Sequence, residues 1–279
     1  LLELCNLINL FVEDSLVDKK MIIGACINLS GRINTMEGFS FNFFFSENRP
    51  LNEIISEQLN LPVRLENDTR AMAFGEYHEG VVDEEQNVIY VNYGWGVAIG
   101  IITDGNLYYG KSGYSGEFGH SNIFDNGILC QCGKLGCLET EISGWSLVKQ
   151  FKEAIKEGKQ SKVVLDENSK SLQHHAIIMG ALQQEDALCV ELVSKQSEKM
   201  GRYLSMILNI FNPELLVVGG DFSLLGGYVL LPIQSALKKY SLGLVNRDVK
   251  LKKSSLGARA GVIGACCVVK EKMLTALVN

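Results

Sequence analysis

The stretch EFGHSNIFDNGILCQCGKLGCLE, residues 117–139, places one histidine and three cysteines between two glutamates. His120, Cys130, Cys132 and Cys137 offer one nitrogen and three sulfur donors within eighteen positions. That donor set suits a closed tetrahedral Zn²⁺ site, because thiolates bind a borderline-soft ion and four protein ligands leave no open position. The spacing differs from that of common zinc fingers, so a disulfide or free thiols are the alternatives that the pattern leaves open.

Four other cysteines lie in different surroundings. Cys26, Cys189, Cys266 and Cys267 fall in apolar runs, which predicts free thiols in the core. The cluster is instead surrounded by glycine, glutamine and lysine. The chain shows no export signal, and in a reducing compartment such a set of thiols indicates metal before disulfide.

Length and composition limit the class of protein. The 279 residues, 47% hydrophobic and 21% charged, are typical of a globular protein with one large or two medium domains. No apolar run reaches the ~18 to 20 residues of a membrane span, so we expect a cytoplasmic protein without membrane contact. The net charge is −6 and no dense basic cluster occurs, which argues against nucleic-acid binding by these residues themselves.

Strand-like and helix-like segments alternate along the chain, which predicts an α/β fold. The predicted strands are 21–29, 62–66, 87–93, 97–103, 215–220 and 248–254. The predicted helical segments are 69–78, 143–156, 172–211, 228–240 and 258–277. The acidic break at 83–86 is the predicted boundary between two lobes.

With its context, the opening stretch resembles the ROK family (repressor, open reading frame, kinase). Three further stretches agree: Glu66-Asn67-Asp68, the turn Gly94-Trp95-Gly96, and PELLVVGG at 213–220. The resemblance runs from about Ile22 to the end of the chain. It implies a two-lobed actin-like (ribonuclease H-like) ATPase fold, with the ligand cleft between the lobes.

The resemblance also predicts how the chain divides. We expect a first, smaller lobe at 1–86, incomplete because the chain begins downstream of the family's opening strand. A larger second lobe at 87–257 would carry the zinc loop. The C-terminal helix, 258–279, is expected to pack back on the first lobe.

The family's sugar-binding residues fall on Asn67, Asp68, Glu117, His120 and Glu139. Carboxylates suit this role because they accept charge-assisted hydrogen bonds from adjacent hydroxyls. Zinc would hold His120 by one ring nitrogen and leave the other for the ligand. The plain alternatives are a helix cap at Asn67-Asp68 and surface carboxylates at the two glutamates.

Kinase members of the family use the aspartate that matches Asp68 as a general base, which activates the sugar's 6-hydroxyl toward the γ-phosphate of ATP–Mg²⁺. The family's opening phosphate loop, Asp-x-Gly-Gly-Thr, is absent here. The other phosphate turn usually reads Gly-Thr-Gly-x-Gly-x-Gly, and residues 94–100 read GWGVAIG. The indole and the alanine reduce the room for phosphate. Four glycines are therefore predicted to form a vestigial nucleotide site: Gly94, Gly96, Gly219 and Gly220.

These features predict the sugar-sensing domain of a transcriptional repressor, similar to the N-acetylglucosamine and xylose repressors. We expect a structural zinc, an upstream helix-turn-helix that binds operator DNA, and a homo-oligomer (dimer or tetramer). The alternative is an ATP-dependent sugar kinase, of glucokinase or N-acetylhexosamine kinase type, truncated at its N-terminus. A third reading is a dimerisation module, based on the apolar helical spacing at 200–208, although core packing explains that spacing more simply.

Overall fold

The structure is a computed structural model that describes residues 1–44 and 47–278, with side chains through Met273. Runs of β-branched residues form its central strands. The strands are β1 Ala25–Leu29, β2 Ile33–Asn34, β3 Phe39–Ser40, β4 Val63–Asn67, β5 Val88–Tyr93, β6 Val97–Thr103, β7 Asn106–Leu107, β8 Leu215–Gly219 and β9 Lys250–Lys253. The helices are α1 Leu2–Asp14, α2 Leu51–Leu59, α3 Asp68–Glu79, α4 Glu139–Ile142, α5 Gly144–Lys156, α6 Ser171–Gln183, α7 Ala187–Phe211, α8 Gly227–Tyr240, α9 Gly243–Asp248 and α10 Ala260–Val278.

The larger sheet has five strands in the order β7-β6-β5-β8-β9. β5 pairs antiparallel with β6 and parallel with β8, which in turn pairs parallel with β9. One face packs against α5, α6, α7 and α8, and the other against α3. β8 is buried along its whole length, as expected for a parallel strand covered on both faces.

The smaller sheet pairs β1 and β4 in parallel, with Ala25 opposite Val63 and Leu29 opposite Asn67. β2 and β3 form a separate antiparallel hairpin. The apolar face of α2 packs against this smaller sheet, and the two form a hydrophobic core that is separate from the core of the larger sheet. β4 runs directly into α3, so the end of this strand and the first turn of the helix meet at one point.

α3 and α10 pack closely because glycines lie at their contact. A Cβ on Gly264 would lie 1.7 Å from the carbonyl oxygen of Ala71, and one on Gly75 would lie 2.4 Å from that of Ala260. α10 also packs against β1. Helix α10 therefore contacts two elements of the region predicted as the first lobe, and the lobe boundaries themselves stay a prediction.

Most predicted segments are present, with differences at their ends. The predicted strand at 21–29 begins at Ala25, because residues 19–21 form a 3₁₀ turn. The helical segment 172–211 is two helices, separated where Glu185 adopts a positive φ of 60° and Asp186 caps α7. The helices and strands for which the sequence predicted no segment are α1, α2, α4, α9, β2, β3 and β7.

Four cysteines were predicted to lie in the core, and this prediction is wrong for Cys266, which is exposed. It is confirmed for Cys189, which is buried, whereas Cys26 and Cys267 are half-buried. Cys266 lies one turn after Val262, which is 67% exposed, so both lie on the outer face of α10. An apolar run in a helix covers both faces, and only packing decides which one is buried.

The apolar spacing at 200–208 belongs to the core. Met200, Leu204 and Leu208 are fully buried in α7, so the core interpretation is confirmed for these side chains. In the described part of the chain, no helix combines the length and the apolar character needed to cross a bilayer.

Candidate functional site

A cleft of about 610 Å³ opens where the two sheets meet. Its size is that of small-molecule sites in general. One wall comes from the β4–α3 junction, and the other comes from the β5–β6 turn, the 117–139 stretch and the loop after β8. All five predicted sugar-binding residues line it, together with three of the four predicted glycines: Asn67, Asp68, Glu117, His120, Glu139, Gly94, Gly96 and Gly220.

Asn67 ends β4 and caps α3. Its side-chain oxygen accepts from the Arg70 amide at 3.1 Å, and its side-chain nitrogen donates to the Gly31 carbonyl at 3.0 Å. The cap that the sequence suggested is therefore present. Asn67 lines the cleft while both ends of its amide are engaged within the protein.

Asp68 is the first residue of α3, and three hydrogen bonds from two neighbours fix the orientation of its carboxylate. Oδ1 accepts from the amide of Thr69 at 2.6 Å and from its hydroxyl at 3.2 Å. Oδ2 accepts from the Ser30 hydroxyl at 2.8 Å. Asn92 on β5 donates to the Thr69 hydroxyl at 2.9 Å, which links this corner to the larger sheet. Asp68 is thus held in place with room to accept from a ligand hydroxyl.

Glu117 lies on the opposite wall, at the end of the segment that follows β7. Burial raises the pKa of its carboxyl above the ordinary 4.5, although the nearby positive charges of His120, Arg70 and Arg32 act in the opposite direction. Its side chain is 30% exposed, so a ligand can still reach it. The carboxylate faces the imidazole of His120, with 3.8 Å between Oε2 and Nε2.

Glu139 is buried at the base of the cleft and supports the β5–β6 turn. Oε2 accepts from the Val97 amide and Oε1 from the indole nitrogen of Trp145, both at 3.1 Å. Oε2 also lies 3.1 Å from where a Cβ on Gly96 would sit. This carboxylate therefore orients the turn as well as lining the cleft, a role that the sequence did not indicate.

The predicted metal ligands converge. The donor atoms of His120, Cys130, Cys132 and Cys137 all lie within 4.8 Å of one another. His120 turns Nδ1 toward Cys130 Sγ at 3.5 Å and Nε2 toward the cleft. All eight cysteines lie in the described residues, and none forms a disulfide.

This donor set fits a zinc ion. Cys132 Sγ and Cys137 Sγ are 3.5 Å apart, far beyond a disulfide bond of about 2.05 Å and close to the separation of two ligands each about 2.3 Å from one zinc. A bound zinc would use Nδ1 of His120 and leave Nε2 facing Glu117 and the ligand. Cys132 itself lines the cleft, so the cluster and the cleft share a wall.

The glycine turn carries two side chains at its surface. Trp95 is half-buried and meets the ring of His175 edge-on at 5.8 Å. Asp221, two residues after the end of β8, also lies near the turn: its Oδ2 is 3.8 Å from where a Cβ on Gly94 would sit. This end of the cleft therefore holds an indole and a carboxylate.

Gly219 and Gly220 have a packing reason of their own. A Cβ on Gly219 would lie 1.9 Å from the hydroxyl of Tyr90, and one on Gly220 would lie 2.4 Å from the Tyr93 carbonyl oxygen. Gly220 also has a φ of 73°, which favours glycine. Close approach to β5 is sufficient to explain both residues without a nucleotide.

Sequence reasoning missed Ser30, Asn92 and Asp221. Ser30 and Asp221 follow β1 and β8, at the carboxyl ends of parallel strands, where ligand sites of open α/β sheets occur. That position was a usable signal for both. Asn92 lies inside a buried strand, and nothing in its local pattern indicates a polar link.

The fold and the cleft define the class of protein, which is a two-lobed α/β protein with the actin-like fold of sugar kinases. The chain belongs to the ROK family, whose family model matches residues 3–272. It is 32% identical over 257 residues to a glucokinase of Halalkalibacterium halodurans, covering 91% of this chain and 78% of that protein. It is 31% identical over 275 residues to the xylose repressor of Caldicellulosiruptor bescii, covering 98% and 68%.

The solved structures that resemble this chain also include both regulators and kinases. A ROK family transcriptional regulator, a homolog of the E. coli MLC protein, superposes with a TM-score of 0.84 at 26% identity, over 97% of this chain and 68% of that one. A ROK glucokinase from Streptomyces griseus in complex with glucose and AMPPNP gives a TM-score of 0.81 at 28% identity, over 96% and 87%. Overall likeness therefore does not separate regulator from kinase.

Proposed function

We propose that this chain is the sugar-binding, effector-sensing domain of a ROK-family transcriptional regulator. The observation that carries the proposal is the position of Asp221, whose carboxylate lies beside the Gly94 turn. Similarity to the xylose repressor and to the regulator structure supports it, and similarity to glucokinases supports the alternative. The nucleotide end of the cleft is what separates the two readings.

A kinase needs that end to accept the phosphates of ATP. Such turns present backbone N–H groups to negatively charged oxygens. Asp221 adds a negative charge at this place, and the indole of Trp95 occupies room that a small side chain would leave free. Both features lower the affinity for a triphosphate, whereas a neutral sugar at the other end is little affected.

In this proposal, the sugar lies between Asp68 on one wall and Glu117, His120 and Glu139 on the other. Asp68 and Glu117 accept from adjacent hydroxyls, and Nε2 of His120 donates to the sugar or to Glu117. Glu139 accepts one bond at each oxygen from the protein, and a carboxylate has further lone pairs for a ligand. Zinc, when bound, would supply only a fixed position for His120 and the cleft wall.

The output is a change in DNA binding. The net charge of −6 makes this chain a poor partner for phosphates, so operator binding is assigned to a helix-turn-helix domain outside the described residues. A sugar that contacts both walls favours the closed cleft, by no more than the difference in its affinity for the closed and open forms. In a dimer that binds two half-sites, the resulting rotation would misplace the recognition helices.

One feature favours the second candidate, an ATP-dependent sugar kinase. Asp68 begins a helix at the cleft, and its carboxylate is oriented by Ser30 and Thr69, an arrangement that also suits a general base. A kinase would need ATP–Mg²⁺ at the Gly94–Gly96 turn, next to Asp221.

The test is calorimetry with D-glucose, D-xylose and N-acetylglucosamine, paired with a coupled assay for ATP-dependent phosphorylation of each sugar. We expect binding of at least one sugar and no turnover. Asp68→Asn should weaken binding by ~1 to 3 kcal/mol, because buried polar partners are left unpaired. Asp248→Asn, an exposed aspartate outside the cleft, is the matched control and should change nothing.

A gain-of-function variant sharpens the test. The double variant Trp95→Thr with Asp221→Gly puts a small hydroxyl in place of the indole and removes the carboxylate at the nucleotide end, and it should increase affinity for a non-hydrolysable ATP analogue. Robust turnover by the unaltered protein would establish the kinase instead. Absence of binding to all three sugars, and to glucose 6-phosphate and N-acetylglucosamine 6-phosphate, would overturn sugar sensing itself.

A further inference from the structure

A buried ion pair lies directly behind the cleft and is not part of its lining. Arg70 Nε and Glu66 Oε1 are 2.7 Å apart, with side chains 2% and 0% exposed. The pair spans the junction of β4 and α3, on either side of Asn67 and Asp68. Oε1 of Glu66 also accepts from the Asn67 amide at 2.7 Å, so the pair holds this junction from within.

The guanidinium of Arg70 also reaches two other segments. Nη1 donates to the carbonyl of Gly113 at 2.6 Å, and Nη2 donates to the hydroxyl of Thr35 at 3.0 Å. Gly113 belongs to residues 108–117, the segment that ends at Glu117, and the ring of Tyr109 in the same segment lies 5.5 Å from Arg70 Cζ. One side chain thus joins the β4–α3 junction, the β2–β3 hairpin and the segment that carries Glu117.

Stability alone is a weak explanation for this arrangement. Buried ion pairs are often replaceable by apolar groups without loss, because desolvation offsets their attraction. Oε2 of Glu66 is moreover buried without a hydrogen-bond partner among the described residues, which costs free energy. The arginine instead provides directional hydrogen bonds, because three donors of its planar guanidinium fix three acceptors in one geometry.

We infer that Arg70 is a positioning residue that sets the separation of Asp68 and Glu117 across the cleft. It ties segment 108–117 to the β4–α3 junction, so the two walls keep the spacing that a sugar requires. Arg70 does not contact the sugar; it acts through Glu117. The inference rests on the proposed sugar binding at this cleft. It adds to that site a residue that sets the cleft geometry from outside the lining.

The chemistry of arginine suggests the separating variant. Arg70→Lys retains a positive charge for Glu66 but has no fixed fork to reach both Gly113 and Thr35. Thr35→Val is a milder change that keeps both members of the ion pair; it removes the hydroxyl that accepts from Nη2 and donates to Glu66 Oε1 at 3.4 Å. Thr103→Val, at the exposed end of β6, is the matched control.

The experiment has a readout without ligand and one with ligand. Hydrogen exchange of the sugar-free protein should become faster in segment 108–117 in Arg70→Lys and Thr35→Val, with β5 and β8 unchanged. Whichever of D-glucose, D-xylose or N-acetylglucosamine binds the unaltered protein should bind Arg70→Lys about tenfold more weakly, which corresponds to the net contribution of about one hydrogen bond. Thr103→Val should behave as the unaltered protein in both measurements.

A double-mutant cycle separates positioning from general destabilisation. If Arg70 acts through Glu117, Arg70→Lys should add little to the loss already caused by Glu117→Gln, whereas independent effects would add. Additive losses, or unchanged exchange in segment 108–117, overturn the inference. If no sugar binds the unaltered protein, the proposed function fails, while the exchange measurement still decides whether Arg70 holds the segment.

Discussion

Cys132 belongs to two sites: it is one of the four candidate metal ligands, and it lines the cleft. We predict that Cys132→Ser lowers zinc from about one ion per chain and weakens sugar binding in the same variant, because His120 is then held less firmly. Elemental analysis and calorimetry measure the two quantities. Cys266→Ser changes an exposed thiol outside the cluster and serves as the control.

Chelation tests the same residues without mutation. Removing metal should loosen the stretch from His120 to Cys137, because after His120 it contains no helix or strand and its regular pairing is limited to two isolated bridges, Asn122 with Cys137 and Leu129 with Leu135. Limited proteolysis should then cut within this stretch, and added zinc should restore protection. Unaltered metal content in Cys132→Ser, or no change in cleavage after chelation, would contradict a zinc site.

Between elements, Glu85 connects the loop after α3 to the edge strand β9. It is only 5% exposed, accepts from the Asp83 amide at 2.9 Å and pairs with Lys250 at 3.0 Å. Burial by itself would raise the pKa of this carboxyl, but these hydrogen bonds and the charge of Lys252 outweigh it and lower the pKa to about 2.

The depressed pKa of Glu85 predicts acid sensitivity. Since the folded pKa of about 2 lies below the ordinary 4.5, the stabilisation is complete above pH 4.5 and is lost as pH falls toward 2. Glu85→Gln should cost on the order of 1 to 3 kcal/mol near pH 7, and the difference from the unaltered protein should shrink as pH falls below 4.5. Urea unfolding at several pH values measures it, with Glu84→Gln, an exposed neighbour, as control. A difference that does not depend on pH would refute the prediction.

The contact of α3 with α10 is a second prediction between elements. Gly264→Ala places a methyl group where the Ala71 carbonyl oxygen lies, only 1.7 Å away, so the helices must separate. Overpacking of this kind costs about 1 to 3 kcal/mol, which a lower thermal midpoint would report. Gly243→Ala, where nothing lies within 4 Å of the added carbon, is the control and should be neutral.

For the whole molecule, we predict that sugar binding closes the cleft. A ligand held by Asp68 on one wall and Glu117 on the other should reduce the radius of gyration measured by X-ray scattering, and Asp68→Asn should abolish the change at the same sugar concentration. In the full-length regulator, a coupling of ~1 to 3 kcal/mol would alter operator affinity roughly 5- to 150-fold. Equal operator affinity with and without a sugar that binds would remove the regulatory role.

The sequence by itself determined the features that depend on neighbours along the chain. The four candidate metal ligands are within eighteen positions, and glycines allow the turns between them, so their convergence was predictable. Strand and helix segments followed from apolar periodicity, and the ROK motifs identified the family. Asn67 as a helix cap followed from its place between a strand and a helix.

Only the tertiary structure decided which distant residues meet. Ser30 reaches Asp68 across 38 residues, Arg70 reaches Gly113 across 43, and Asp221 lies beside the turn at Gly94 because β8 is adjacent to β5. Periodicity states that a segment is a strand or helix, but it does not state its neighbours in the sheet or the angle at which helices pack. The exposed Cys266 and the supporting role of Glu139 were missed for the same reason: both depend on contacts that form only when separate segments pack together.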